Sequence, residues 1–202
     1  MTTSLNKSKP KLGILISGRG SNMQAIATAI NNKALHASIT VVVANTAKAV
    51  GIEIAQGMGL TTTVITRKQF ATQNDFESAM LAALQNAGVD CVILAGYNRI
   101  LGQMILNAYP NRILNIHPSL LPKYGGKGMV GMAVHEAVLD AGEAESGCTV
   151  HLVNAVIDGG EILAQHRVPV LEGDTSLALA KRVLQAEHML YPAVIADYCK
   201  ML

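Results

Sequence analysis

The chain has 202 residues, of which 50% are apolar, 15% charged and 3% aromatic, with 18 glycines and a formal net charge of +2. That length suits one domain able to bury roughly 70% of the surface its unfolded form exposes, and the composition is that of a compact α/β enzyme, not a disordered chain or a solenoid. Nucleic acid is excluded as an expected partner, because the basic residues are scattered and tryptophan is absent, whereas such binding needs a basic face or aromatics interleaved with cations.

Cys91, Cys148 and Cys199 are an odd, widely spaced set with no C-x-x-C pair, and read as buried thiols of a reducing compartment. The opening MTTSLNKSKP lacks the apolar run of a signal peptide, and no stretch approaches the ~18 apolar residues of a membrane span. A cytoplasmic protein with no membrane partner is therefore expected. It is read as a single domain over residues 1–202, with residues 1–10 a flexible leading segment.

Residues 11–17 (KLGILIS) form an apolar run that ends in a glycine-rich turn, followed over residues 22–31 by a helical pattern with Met23, Ile26, Ala27 and Ile30 on one face. SITVVVAN, residues 38–45, is β-branched on both parities, as a strand buried on both faces would be. Helices at about 51–58 and 75–86 then alternate with strands at 62–65 and 91–95, and a short strand at 113–116 precedes a helix from 130 to about 140. This βαβα rhythm predicts a Rossmann-like, mostly parallel sheet with helices on both faces.

The rhythm changes after residue 147. The runs CTVHLV (148–153) and EILAQHRVPV (161–170), joined by NAVIDGG, predict an antiparallel hairpin at one edge. A long helix over about 176–196, capped by Asp174 or Thr175, closes the domain.

Three short stretches carry chemistry. SGRGSN, residues 17–22, joins the first strand to the first helix, where glycines allow a tight turn and the helix's free N–H groups favour an anion. It reads as a phosphate site or as a plain βα turn; a third glycine is missing at Met23, which argues against a dinucleotide, and no Walker pattern supports ATP.

Asn115 and His117 lie two apart at the carboxyl end of a parallel strand, where open α/β sheets place their ligand crevices. They could address one reacting group, or His117 could be a loop histidine satisfied by hydrogen bonds. Asp158, in VIDGG, could turn back to orient that imidazole and raise its pKa, or could simply shape a turn before glycine. His151 and His166 lie inside strand-like runs and read as structural, His135-Glu136 lacks zincin spacing, and no metal is expected.

Taken together, LISGRGSNMQAI, LAGYNRIL, NIHPSLLPKY, VIDGG, VPV-x-x-GD and AEHMLYP resemble the phosphoribosylglycinamide formyltransferases of de novo purine synthesis over nearly the whole chain. Asn-x-His-Pro-Ser-Leu-Leu-Pro is a specific signature of folate-dependent formyltransferases. The resemblance implies 10-formyltetrahydrofolate as cosubstrate, and phosphoribosylglycinamide as the small molecule formylated by a monomer or homodimer. It also implies that Gly20, Ser21 and Asn22 hold the phosphate, that Glu187 contacts the glycinamide substrate, and that Asn115, His117 and Asp158 form the catalytic triad. Asn98, Arg99, Ile100 and Leu101 would line the folate site, Asn115 would reach it, and Asn154, Ala155, Val156, Ile157 and Asp158 would border the pterin.

Two positions depart from the family pattern. Gln73 stands where an arginine approaches the folate tail, and Asn98 where methionine is frequent. The expected chemistry is attack of a primary amine on the formyl carbon. Asn115 and a His117 kept protonated by Asp158 would donate to the oxyanion. Methionyl-tRNA formyltransferase shares the HPSLLP motif but carries a further C-terminal domain for tRNA, and formyltetrahydrofolate hydrolase, which would send water to the same carbon, has an extra N-terminal regulatory domain; neither is expected here.

Overall fold

The computed structural model describes residues 8–202, so part of the expected leading segment, residues 1–7, lies outside the described residues. In chain order the elements are β1 (Lys11–Ile16), α1 (Ser21–Asn31), β2 (Ser38–Ala44), α2 (Gly51–Gly57), β3 (Thr62–Val64), α3 (Gln73–Asn86), β4 (Cys91–Leu94), α4 (Gln103–Ala108), β5 (Ile113–His117), α5 (Met132–Asp140), β6 (Glu145–Leu152), β7 (Ile162–Pro169) and α6 (Ser176–Cys199). They build a seven-stranded sheet in the order β3-β2-β1-β4-β5-β6-β7. The pairings from β3 to β5 are parallel, and β5-β6 and β6-β7 are antiparallel.

Strand alternation sorts the core onto the two faces of the sheet. Leu12, Ile14 and Ile16 of β1 pack with Met23 and Ile26 of α1 and with Leu179, Val183 and Ile195 of α6. Leu15 points the other way, into a cluster with Phe76, Met80 and Leu84 of α3 and Ile105 of α4. Both faces are covered, which is why the central strands read as unbroken apolar runs.

Several boundaries differ from the sequence reading, each for a local reason. The short helix α4 and a single 3₁₀ turn at Arg67–Gln69 were not expected, because one or two turns of helix carry too little periodicity to register. β6 starts at Glu145, not at residue 148: Ser146 and Gly147 look like turn residues, yet Gly147 pairs with Arg167, where a β-carbon would meet the His166 carbonyl oxygen at 2.1 Å.

α5 starts two residues late, after Gly131 at φ 58°. Thr175 caps α6 by accepting from the Ala178 N–H at 3.2 Å, while Asp174 instead takes Arg182 in an ion pair. That helix runs on to Cys199 through Pro192, three residues beyond its expected end. The fully buried Tyr191 helps anchor it, its hydroxyl lying 3.1 Å from the Leu94 carbonyl oxygen and 2.9 Å from that of Leu114.

The three cysteines are free and buried, and burial holds all their thiols above the ordinary range, to about 12 for Cys148 and about 11 for Cys199. Among the described residues no helix is long and apolar enough to cross a membrane.

Candidate active site

A cleft of about 530 Å³ opens at the carboxyl ends of β1, β4 and β5. From β1 the chain winds outward through β2 to β3 on one side, then crosses back to β4 on the other side of β1, so the crevice forms at the switch point of the sheet. Its lining includes Arg19, Asn22, Asn98, Arg99, Ile100, Leu101, Asn115, His117, Asn154, Ala155, Val156, Ile157, Asp158 and Glu187. Most of the residues expected from the sequence therefore meet in one place.

At one end stands the N-terminus of α1. Gly20 caps it at φ 71°, a left-handed conformation that suits glycine, and the helix has neither a side-chain cap nor an acidic residue in its first turn. Its leading N–H groups are thus free to meet an anion, with the Arg19 side chain nearby on the cleft lining. The Asn22 side chain turns toward α6, where its Nδ2 donates to Glu187 Oε2 at 2.6 Å, while its backbone N–H stays at the helix N-terminus.

Glu187, delivered by α6, is 7% exposed. Burial pushes its carboxyl up to about 7, against the single hydrogen bond from Asn22, so it is near half-protonation at neutral pH.

At the centre stand Asn115 and His117 on β5, paired in antiparallel register with His151 and Thr149 of β6. Asn115 Nδ2 lies 3.1 Å from His151 Nε2, while His151 Nδ1 donates to the Leu152 carbonyl at 2.8 Å. An amide hydrogen of Asn115 is left for a ligand.

His117 Nε2 donates to the Tyr124 carbonyl at 2.7 Å, which leaves Nδ1 facing Asp158 Oδ2 at 3.5 Å. Asp158, at φ 52°, sits between the two imidazoles: its Oδ1 is 3.6 Å from His151 Nε2, and its Oδ2 accepts from the Gly126 N–H at 2.9 Å.

Opposing influences meet at His117. Burial lowers the His117 pKa below its ordinary value, outweighing both Asp158 and the Tyr124 carbonyl, which act to raise it. Burial therefore favours the neutral imidazole, against the pull of Asp158 toward the protonated one. Burial acts to raise Asp158, but His151, the Gly126 N–H and His117 together bring its carboxyl below the ordinary value.

On the far side, the Asn98 N–H donates to Ser17 Oγ and its Oδ1 accepts from Asn45 Nδ2, both at 2.9 Å, which ties together the ends of β4, β1 and β2. Ile100 and Val156 are 70% and 65% exposed and, with Val130 and Ile157, give the cleft an apolar rim. Such a rim suits a flat aromatic ring better than a second charged group. Gln73 lies outside this lining, at the first turn of α3, where it accepts from Arg67 Nε at 3.2 Å and donates to Glu77 at 2.9 Å.

Four residues escaped the sequence reading: Arg19, Asn45, His135 and His151. Arg19 was inside the recognised loop and its charge was the available signal. His135 lines the cleft from α5, buried, with Nδ1 unpartnered and its pKa lowered by burial and then by His117. His151 was set aside as structural, yet it touches both Asn115 and Asp158.

The family model described as formyl transferase matches residues 10–195. A chloroplastic phosphoribosylglycinamide formyltransferase of Arabidopsis thaliana is 40% identical over 193 residues, covering 95% of this chain and 66% of that protein. Other curated relatives, trifunctional purine biosynthetic proteins, are much longer: the chain spans 14% of the Drosophila pseudoobscura one and 18% of the human one.

Among solved structures, glycinamide ribonucleotide transformylase 1 from Symbiobacterium toebii superposes with a TM-score of 0.93 at 38% identity, over 100% of this chain and 92% of that one. Phosphoribosylglycinamide formyltransferase from Brucella melitensis gives 0.88 at 45%, over 95% and 96%. With sequence family, sheet order and cleft in agreement, the chain belongs to the formyl transferase family.

Proposed function

We propose that the protein transfers the formyl group of 10-formyltetrahydrofolate to the primary amine of N1-(5-phospho-D-ribosyl)glycinamide. The products are formylglycinamide ribonucleotide and tetrahydrofolate, and the reaction is a step of purine synthesis in the cytoplasm, run by a monomer or homodimer. One observation carries this reading: a single cleft joins an uncapped helix N-terminus and a buried carboxyl to an Asn-His-Asp centre with an apolar rim beyond it. A phosphorylated amine and a ring-bearing formyl donor fit the two ends and meet at the centre.

The chemistry then follows from the residues. The phosphate rests on the N–H groups of Ser21 and Asn22 at the turn made by Gly20, while Glu187 accepts from a donor on the same substrate. As the amine nitrogen bonds to the formyl carbon, the carbonyl oxygen becomes an oxyanion, and the free hydrogen of the Asn115 amide donates to it.

His117, neutral at rest, takes the proton the amine must shed. Its open position is Nδ1, where Asp158 at 3.5 Å stabilises the imidazolium. Collapse of the intermediate breaks the bond to the folate nitrogen, which recovers that proton from His117. Bond-making and bond-breaking balance without a covalent enzyme intermediate.

Spectrophotometric release of the folate product, with and without the phosphoribosyl amine, tests the proposal. Amine-dependent release is expected; release to water alone identifies a hydrolase, and no release under either condition ends the reading.

A further inference from the structure

The turn that follows β5 holds both partners of the central acid-base pair by its backbone. The Tyr124 carbonyl accepts from His117 Nε2 at 2.7 Å, and two residues on the Gly126 N–H donates to Asp158 Oδ2 at 2.9 Å. Ser119, fully buried, braces the same turn from inside, its hydroxyl donating to the Lys123 carbonyl at 2.7 Å. Tyr124 adopts φ 56°, a left-handed conformation that a non-glycine residue keeps only where its surroundings over-determine it.

The outside determinant is Glu143, in the connection between α5 and β6. Its Oε1 accepts from the Tyr124 hydroxyl at 2.9 Å and from Lys123 Nζ at 2.8 Å, which pins both side chains of the strained dipeptide to a different part of the fold. Neither Glu143 nor Lys123 lines the active-site cleft; both lie on a smaller cavity behind the turn, so Glu143 cannot touch substrate.

We infer that Glu143 is a positioning residue for the His117–Asp158 pair, acting through Tyr124 and the backbone of residues 124–126. The inference rests on the functional reading above only for its effect on rate. Its effect on the imidazole is independent of what the cleft binds.

The test compares Glu143→Ala, Tyr124→Phe and Glu143→Gln in the full chain. NMR follows His117 through its titration without substrate, and steady-state kinetics follow turnover. The groups facing His117 are Asp158, His151 and His135, so a displaced turn changes two of its contacts: the Tyr124 carbonyl and the orientation of Asp158. Both favour the protonated ring, and His117 in Glu143→Ala is expected to titrate at lower pH than in the wild type.

kcat is expected to fall on the order of tenfold, short of the ~100-fold that a 1 Å misplacement can cost, with KM for the phosphoribosyl amine within about twofold. Tyr124→Phe, which removes one oxygen atom and leaves the core intact, should reproduce both effects. Glu143→Gln, which still accepts from the Tyr124 hydroxyl, should restore most of each.

An unmoved His117 titration in Glu143→Ala and Tyr124→Phe overturns the inference, even if thermal stability drops. A Glu143→Gln variant no better than Glu143→Ala overturns it as well. If wild-type protein transfers no formyl group but the titration still moves as described, the functional reading fails and the positioning role stands.

Discussion

Two carboxyl groups of the same cleft end up on opposite sides of their ordinary pKa. Glu187 is 7% exposed and Asp158 has a side chain 13% exposed, so burial pushes both upward. Glu187 has one hydrogen-bond donor, the Asn22 amide, and settles at about 7. Asp158 has the Gly126 N–H and two imidazoles around it, and falls below the usual carboxylate value. What separates them is the deeper burial of Glu187 together with the larger number of favourable neighbours around Asp158. The α1 end of the cleft thus holds a carboxyl poised to change charge near neutrality, and the β5 end a fixed anion beside a neutral base.

The strongest way to break this contrast is at the β5 end. Asn115→Ala removes the amide assigned to the oxyanion and leaves the fold intact, and turnover should fall by about a hundredfold or more, the ~2.7–4 kcal/mol that one such donor supplies. Single-turnover rates at saturating substrate measure it. A rate near that of the wild type would mean that the anion forms against other groups and that the contrast has no catalytic meaning.

A smaller effect sharpens the other half. Because the folded pKa of Glu187 is raised, its contribution to stability is fully present below its unfolded value of 4.5 and is lost as pH rises toward about 7. Asp158 has the opposite sign, contributing stability above its unfolded value of 3.8 that is lost in acid. Glu187→Gln removes the first slope. Urea unfolding at pH 5 and pH 8 should show the variant gaining on the wild type by on the order of 3 kcal/mol between the two. A constant difference would mean that the Glu187 carboxyl is not raised by its burial.

The smallest effect is expected outside both ends. Gln73→Ala deletes bonds to Arg67 and Glu77 on the surface of α3, and should change stability by less than ~0.5 kcal/mol. Its KM for the folate should stay within about twofold. A clear rise in that KM would extend the cleft's ligand as far as the first turn of α3.

How much of this was legible beforehand depended on range along the chain. The apolar runs at β1, β2, β4 and β5 announce themselves because each strand is buried on both faces. The glycine turn that opens α1 was legible because strand, turn and helix are neighbours in sequence. His151 was not, because its place beside Asn115 comes from an antiparallel register between residues 36 apart, which no local pattern encodes.

The charge balance at His117 was only half legible. Sequence reasoning could see a carboxylate that raises the pKa, but not the depth of burial that lowers it further. The start of β6 was hidden by Ser146 and Gly147, where a small residue signalled a turn and the actual requirement was close approach of the neighbouring strand.

The Tyr191 hydroxyl, which reaches the carbonyls of Leu94 and Leu114, has a consequence for how this cleft can change. By joining α6 to the ends of two strands, it fixes the floor from which Glu187 rises one turn earlier. The opposite wall is made of loop residues such as Val156 and Ile100, which stand in solvent. Mutations can therefore remodel the outer wall without disturbing the floor. The cleft is built to be conservative at its floor and permissive at its outer wall.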